Sequence, residues 1–356
     1  CGGLLLAGFA GFPLLGTRGL LSLIYCLACG SGIALMAWIW RRDVQRGGAD
    51  FSGALAGGML ALAMMVAVIM PSGMWRTYIT GGPEPNWELR EGISGIAQLW
   101  WVEDHADVRV NGEYVSRLPY LARHLNQEVF LLAQPRRERV LVFGMGSPEI
   151  IRSLTEDPGV LQIDVVDRSH ELPELLAGGK AAELLNQALS SPKVRIFTAD
   201  ARIAASLYEA AAFDVVFDSL AYASWAGSTG VKSESYFREI RRILKPEGVY
   251  LAGADYSGES RRAVLAGLMN AFEIVKEHRQ APIVMAMSME PQYSDLQIIL
   301  LAQPRAEIFG LHFSDVNALP AWFKNEFVTL TREQLQGVTP IRDELPVYEY
   351  LSAKAE

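Results

Sequence analysis

Two long segments without a charged residue lie in the first quarter of the chain. Residues 19–40 contain 22 uncharged residues, end in Trp38 and Trp40, and are followed by two arginines. A second uncharged segment covers residues 51–73. About 20 consecutive apolar residues are enough for a helix to cross the hydrocarbon core of a bilayer, and tryptophans next to arginines are typical of the lipid–water interface. Both segments are therefore predicted to be transmembrane helices.

Residues 2–15 are also apolar, but they are too few to span a bilayer. We expect a partial helix here, so that residues 1–80 form a membrane domain of two full spans and one partial span. The partial helix indicates either that further helices precede this sequence or that it packs on a partner subunit. The link between the two spans contains Arg41, Arg42 and Arg46, which favour a cytoplasmic location for it. Three arginines are too few to decide on which side of the membrane the following domain lies.

The remainder of the chain is acidic. The net charge of the whole chain is −8, yet its first 83 residues carry five arginines and only two acids. Phosphate recognition depends on clustered positive charge, so we expect no nucleic-acid partner. All three cysteines precede residue 30, and the five histidines lack the spacing of helical metal ligands. We therefore expect no metal site.

A small β domain is predicted over residues 84–135. It follows a Gly/Pro-rich joint at residues 81–85 and contains alternating apolar residues on both sides of Asn111-Gly112, a tight-turn dipeptide.

From residue 136 to residue 356, short apolar strands alternate with helical stretches, which predicts a doubly wound α/β sheet. Residues 283–289 and 296–302 are predicted to form a closing antiparallel pair. The other predicted strands are residues 140–143, 162–166, 194–197, 213–217 and 248–252.

Ligands of such sheets bind at the carboxyl ends of the strands, so the residues that end each strand are candidate binding residues. The first strand leads into Gly144-Met145-Gly146-Ser147, whose glycines would let the backbone approach a ligand. The next three strands lead to Asp167, Asp200 and Asp218. Asp167 follows the glycines by about 20 residues, the spacing of a carboxylate that binds ribose hydroxyls. A helix N-cap or a solvated loop would explain any one aspartate alone, whereas three at successive strand ends indicate a nucleoside site.

Three aromatic residues are candidate substrate contacts. Tyr222 and Trp225 follow Asp218, where a substrate gate is expected, and Tyr236 lies a short distance beyond them. Aromatic rings with a polar atom suit both ligand stacking and core packing, so both interpretations stand for these residues.

A series of short motifs follows one another along the chain. They are Arg90-Glu91-Gly92, Val110-Asn111-Gly112, Gln134-Pro135, the glycine loop, Val166-Asp167, Asp200-Ala201-Arg202, Phe213-Asp214-Val215-Val216-Phe217-Asp218-Ser219, Glu234-Ser235-Tyr236, Leu244-Lys245-Pro246-Glu247-Gly248-Val249 and Asp343-Glu344-Leu345-Pro346-Val347-Tyr348-Glu349-Tyr350. Their order resembles the spermidine synthase family of aminopropyltransferases and, with apolar helices in front, its membrane-fused bacterial branch. The resemblance implies a Rossmann-like fold of the S-adenosylmethionine-methyltransferase type and an integral protein of the bacterial inner membrane.

The family transfers an aminopropyl group from decarboxylated S-adenosylmethionine to an amine such as putrescine and releases methylthioadenosine. By resemblance, Gly144 and Gly146 would lie under the nucleoside, Asp167 would bind the ribose hydroxyls, and Asp200 would meet the adenine amino group. Asp218 would be the catalytic acid residue. Ser147 and Ala201 lie in the same motifs and are assigned to the same nucleoside site.

The chain departs from the family pattern on the side that would bind the amine. Ser147 replaces an aspartate of the glycine loop, Ala221 replaces the second carboxylate of the motif at Asp218, and Val115 replaces a glutamine. Three functions therefore remain open. They are an aminopropyltransferase with an altered acceptor, a catalytically silent subunit of a membrane complex, and a methyltransferase that uses S-adenosylmethionine itself. We expect the lipid bilayer, other membrane subunits and, in an active enzyme, a small amine as partners.

Overall fold

The computed structural model describes residues 86–92, 94–119, 122–145, 148–219, 228–253, 258–281, 283–290, 292–293, 297–298, 300–302, 324 and 326–343, with scattered helical positions between residues 23 and 58. Apart from those positions, the predicted membrane spans at residues 19–40 and 51–73 and the partial helix at residues 2–15 lie outside the described residues. In the part of the chain that is described, no helix is both long and apolar enough to cross a membrane.

Four antiparallel strands form the first sheet, in the order in which they follow one another along the chain. Asn111 and Gly112 both have positive φ at the turn between the third and fourth strands, as the dipeptide predicts. The Asn111 side chain also accepts a hydrogen bond from the Ile96 amide at 2.9 Å. The strands are β1 (Trp87–Gly92), β2 (Gly95–Val102), β3 (His105–Val110) and β4 (Glu113–Leu118).

Eight strands form the second sheet, in the order β12-β10-β11-β9-β8-β5-β6-β7. The strands are β5 (Arg139–Phe143), β6 (Gln162–Asp167), β7 (Val194–Thr198), β8 (Phe213–Asp218), β9 (Leu244–Gly253), β10 (Ile274–His278), β11 (Ile283–Met287) and β12 (Phe327–Thr329). Parallel pairing joins β7, β6, β5, β8 and β9, in that order across the sheet. The pairs β9–β11, β11–β10 and β10–β12 are antiparallel, so the sheet is mixed.

Helices cover both faces of this sheet. Val140 and Val142 belong to one buried cluster and the alternate residues Leu141 and Phe143 to the other, because successive side chains of a strand point to opposite faces. The sheet is therefore doubly wound, as predicted. The helices are α1 (Ala122–Leu132), α2 (Pro148–Glu156), α3 (Glu171–Leu176), α4 (Gly179–Leu184), α5 (Ala201–Leu207), α6 (Glu234–Ile243) and α7 (Gly258–Ala271).

The predicted strand at residues 296–302 is wrong. The described residues of this segment are helical. Ile298 and Ala302 are buried, whereas Leu300 between them is 64% exposed. A strand would have placed all three side chains on one face, whereas a helix places Ile298 and Ala302 on one face and Leu300 on another. β11 instead pairs antiparallel with β10 and β9, which both precede it in the chain.

The four-stranded sheet packs against α3, the helix that follows β6. The Ser94 amide donates to Glu171 at 3.3 Å, and the Ser94 hydroxyl accepts from the His170 amide at 3.1 Å. A Cβ atom at Gly92 would lie 2.1 Å from Glu171 Oε1, so a larger residue here would displace the Glu171 side chain from its present position. The first sheet is thereby fixed next to the carboxyl end of β6.

Candidate functional site

The carboxyl ends of β5, β6 and β8 form the candidate site. β5 lies between β6 and β8, and the chain leaves it toward β6 on one side and reaches β8 later on the other. The strand order therefore reverses at β5, and such a switch point leaves a crevice in which α/β proteins bind ligands. Asp167 and Asp218 end the two strands beside β5.

Asp167 contacts the glycine loop directly. Its Oδ2 accepts a hydrogen bond from the Met145 amide at 2.6 Å, and its Oδ1 accepts one from the Ser169 amide at 2.7 Å. Burial raises the pKa of Asp167, and the hydrogen bonds from Ser169 and Met145 partly oppose that rise. Each carboxylate oxygen keeps acceptor capacity, which suits it to the hydroxyls of a neutral sugar.

Gly144 adopts φ +82°, a conformation that favours glycine. Its amide donates to the Val166 carbonyl at 2.8 Å, so the start of the loop is held against the end of β6. Gly146 and Ser147, the other predicted loop residues, lie outside the described residues.

Asp200 is the N-cap of α5. Its side chain accepts hydrogen bonds from the Arg202 amide at 3.0 Å and the Ile203 amide at 3.4 Å. The capping explanation raised from the sequence is thus realised for this aspartate, and it still lies at the end of the strand next to β6. Ala201, predicted beside it, is the first residue of the helix and is 3% exposed.

Asp218 is fully buried, and three side chains donate to the same oxygen, Oδ2. They are the Tyr250 hydroxyl at 2.8 Å, the Lys232 ammonium at 3.3 Å and the Tyr236 hydroxyl at 3.5 Å. Lys232 itself is only 1% exposed. The predicted catalytic acid residue therefore belongs to an ion pair in which both side chains are buried.

Of the predicted aromatic contacts, Tyr236 lies beside Asp218 and is 0% exposed. Burial, with the neighbouring Asp218 carboxylate, raises the pKa of Tyr236 well above its usual value. The phenol therefore remains a hydrogen-bond donor at physiological pH. Tyr222 and Trp225 lie outside the described residues.

Sequence reasoning missed Lys232, Tyr250 and Glu149. Tyr250 lies on β9, next to β8, in a run of apolar residues that predicts only a strand. Lys232 precedes α6 and shows no pattern that would set it apart from a surface lysine. Glu149 follows the glycine loop, is 2% exposed and has one oxygen without a hydrogen-bond partner. Burial raises the pKa of Glu149 well above its usual value.

No protein-family profile matches the chain. Polyamine aminopropyltransferase 2 of Streptomyces coelicolor is 30% identical over 111 residues, which make up 31% of this chain. The aligned part is 20% of the relative, so the chain spans about a fifth of the length of the curated relative that it matches.

Solved structures with a similar course of the chain include a probable spermidine synthase from Corynebacterium glutamicum. It is 18% identical, and the superposition covers 74% of this chain and 98% of that protein with a TM-score of 0.48. Spermidine synthase from Thermotoga maritima is 13% identical, and the superposition covers 57% of this chain and 74% of that protein with a TM-score of 0.47.

The mixed sheet with its strand-order switch at β5 places the chain among Rossmann-like α/β proteins. Within that class, about a third of the chain is similar in sequence to the Streptomyces polyamine aminopropyltransferase.

Proposed function

We propose that this protein binds an adenosylated sulfonium, decarboxylated S-adenosylmethionine, at the carboxyl ends of β5, β6 and β7. The observation that carries the proposal is the contact between Asp167 Oδ2 and the Met145 amide, which joins the ribose-type carboxylate to the glycine loop. Gly144 leaves room for the nucleoside, and Asp200 lies at the end of the next strand for the adenine edge. Gly146, Ser147 and Ala201 are assigned to the same subsite.

The proposed reaction is transfer of the aminopropyl group to an amine. The acceptor ammonium first gives up a proton. Its nitrogen then attacks the carbon next to the sulfonium, and the carbon–sulfur bond breaks to release methylthioadenosine. A carboxylate such as Asp218 could hold the cation and accept the proton, and alignment of donor and amine would supply much of the acceleration. The replacements at Ser147, Val115 and Ala221 support an acceptor other than an ordinary diamine.

A catalytically silent spermidine synthase-like subunit is the second candidate. The buried pairing of Asp218 with Lys232 favours it, since the carboxylate that would serve the acceptor already has a cation. Val115, where the family has glutamine, is 4% exposed and packs as an apolar core residue. Such a subunit would act through partners in a membrane complex.

The test of nucleoside binding is calorimetric titration of the purified full chain with methylthioadenosine, decarboxylated S-adenosylmethionine and S-adenosylmethionine. We expect a Kd below roughly 100 μM, which corresponds to about −5.5 kcal/mol, for the first two ligands. Asp167→Ala should abolish the heat, and Asp104→Ala, whose side chain is 95% exposed, should not.

Each other outcome is informative. A preference for S-adenosylmethionine would support a methyltransferase instead. No heat with any of the three ligands would refute both enzymatic functions and leave the silent subunit, whose partner should then co-purify with the full chain.

We also propose that residues 19–40 and 51–73 anchor the protein in a bilayer, as expected for the inner membrane of a bacterium. The absence of charge over both segments supports this. The expected result is that the full chain stays with the membrane pellet after washing at alkaline pH. Release into the supernatant would refute the anchor.

A further inference from the structure

Lys232 is buried at the place where the proposed function needs an acceptor amine. Its side chain is 1% exposed, and that of Asp218 is 0% exposed. Lysine is almost never fully buried unless it is paired, because its ammonium loses its hydration. The pairing with Asp218, at 3.3 Å between Nζ and Oδ2, is therefore what holds this cation inside the protein.

The carboxylate that pairs with this ammonium is itself held in place by two tyrosine hydroxyls. Asp218 supplies the negative charge at the carboxyl end of β8. The Tyr250 hydroxyl donates to the same Oδ2 at 2.8 Å, and the Tyr236 hydroxyl lies 3.5 Å from it. All three donors converge on one oxygen, and both rings are 0% exposed. The carboxylate is thus enclosed on the side where Lys232 approaches.

The lysine side chain has the chemistry of the expected acceptor. It is a chain of four methylene groups that ends in a primary ammonium, and it therefore matches a linear diamine such as putrescine without the second ammonium. A second ammonium brought to Asp218 would share one carboxylate with Lys232, so its positive charge would lack a counter-charge of its own. The site would repel such a ligand rather than attract it.

We propose that Lys232 determines acceptor specificity by occupying, with its own ammonium, the subsite at Asp218 where a diamine would bind. This inference rests on the proposed function, since it assigns Asp218 to the acceptor side of the same crevice. The wild-type protein accordingly rejects linear diamines at Asp218, and its acceptor, if it has one, carries no cation at that end. Removing the lysine side chain should turn the rejecting site into an amine-binding one.

The experiment is the titration of the full-length Lys232→Ala variant with n-butylamine and putrescine, by calorimetry and by thermal melting. We expect the variant to bind putrescine at least about tenfold more tightly than the wild type does, and its melting temperature to rise with added amine. The double variant Lys232→Ala/Asp218→Asn should lose this gain, because the counter-charge is then absent.

The matched control is Lys245→Ala. Lys245 pairs with Asp214 near the other end of β8, at 2.7 Å, and is 33% exposed. Removal of this lysine also leaves an aspartate without its cation, but far from the crevice, so no gain in amine binding is expected. An equal gain in the control would show that any uncompensated aspartate binds amines and would overturn the proposal.

Two further results would overturn it. One is tight binding of putrescine by the wild type that Asp218→Asn abolishes. The other is a folded Lys232→Ala variant, by circular dichroism, that binds no amine. If that variant does not fold, Lys232→Gln replaces it; this variant removes the positive charge but still fills part of the subsite, so a smaller gain is expected. Methylthioadenosine titrated into the same variants separates the two hypotheses, since its failure to bind refutes the proposed function alone.

Discussion

Two aspartates flank β5, and the protein treats their charges in opposite ways. Asp167 accepts hydrogen bonds from two main-chain amides, those of Met145 and Ser169. Asp218 faces a lysine ammonium and two phenols. The first arrangement orients a carboxylate and leaves its charge for a ligand, whereas the second neutralises the charge internally. Under the proposed function, this difference separates a nucleoside half that can still bind its ligand from an acceptor half whose carboxylate is already paired.

The largest expected effect concerns stability on the acceptor side. Asp218→Ala would leave the Lys232 ammonium buried without its partner, so we expect the free energy of unfolding to fall by about 3–5 kcal/mol in urea denaturation. Asp167→Ala should cost less, because it leaves two main-chain amides without an acceptor and no buried charge without its partner. The double variant Asp218→Leu/Lys232→Met should recover most of the loss. A loss at Asp218 no larger than that of a surface pair, about 1 kcal/mol or less, would contradict the comparison.

On the nucleoside side, Asp167→Asn tests whether the charge itself binds the ligand. The substitution keeps the volume but turns one acceptor oxygen into an NH₂ group that faces a main-chain N–H. We expect methylthioadenosine affinity to drop by about 1.5–3 kcal/mol, the range of hydrogen bonds to charged groups, in calorimetric titration. Unchanged affinity would mean that Asp167 only holds the glycine loop in place and does not bind the ligand through its charge.

The pH dependence of nucleoside binding follows from the raised pKa of Asp167. Burial is its main cause, so the carboxylate takes up a proton at a higher pH than an ordinary aspartate of pKa 3.8. Binding should therefore be intact well above that raised pKa and weaken as the pH falls through it, by up to about 1.4 kcal/mol for each further pH unit. Titrations from neutral to acidic pH check this, with Asp167→Asn as a variant that should show no such slope. A wild-type affinity that is constant down to pH 3.8 would contradict it.

The smallest expected effect is at Asp200. Asp200→Ala removes the acceptor for the Arg202 and Ile203 amides at the start of α5. We expect a loss of about 1 kcal/mol in the free energy of unfolding, typical of a lost N-cap, and Asp200→Ser should restore most of it. Nucleoside affinity measured in both variants then separates the two roles. If serine restores stability but not affinity, the aspartate also contacts the ligand.

The sequence was sufficient to locate the strands of the parallel part of the sheet, because short apolar runs alternate there with helical stretches; their order in the sheet came from the structure. It also placed Asp167 and Asp218 at one edge, since carboxyl ends of parallel strands meet there. The helix at residues 297–302 escaped prediction because a short apolar run suits both a strand and a helix. Only the contact with the rest of the fold, which buries Ile298 and Ala302 but not Leu300, decides between them.

Lys232 was beyond reach for a different reason. Its pairing with Asp218 joins residues 14 positions apart through a segment with no regular pattern. Lysine is ordinarily a surface residue, so its burial would not be predicted unless the surrounding sequence indicated it. The residues around Lys232 in the sequence give no such indication. The departures at Ala221 and Val115 predicted a changed acceptor side. They did not predict that Lys232 pairs with Asp218.

Ser219 joins the two halves of the crevice. Its amide donates to the Phe143 carbonyl at 2.9 Å, and its hydroxyl lies 2.9 Å from that oxygen and 2.8 Å from the Gly144 carbonyl. The residue after Asp218 is thus fastened to the first residue of the glycine loop. Under the proposed function, these bonds offer a route by which a ligand at one strand end would change the affinity at the other, and thermodynamic reciprocity would make the two changes equal.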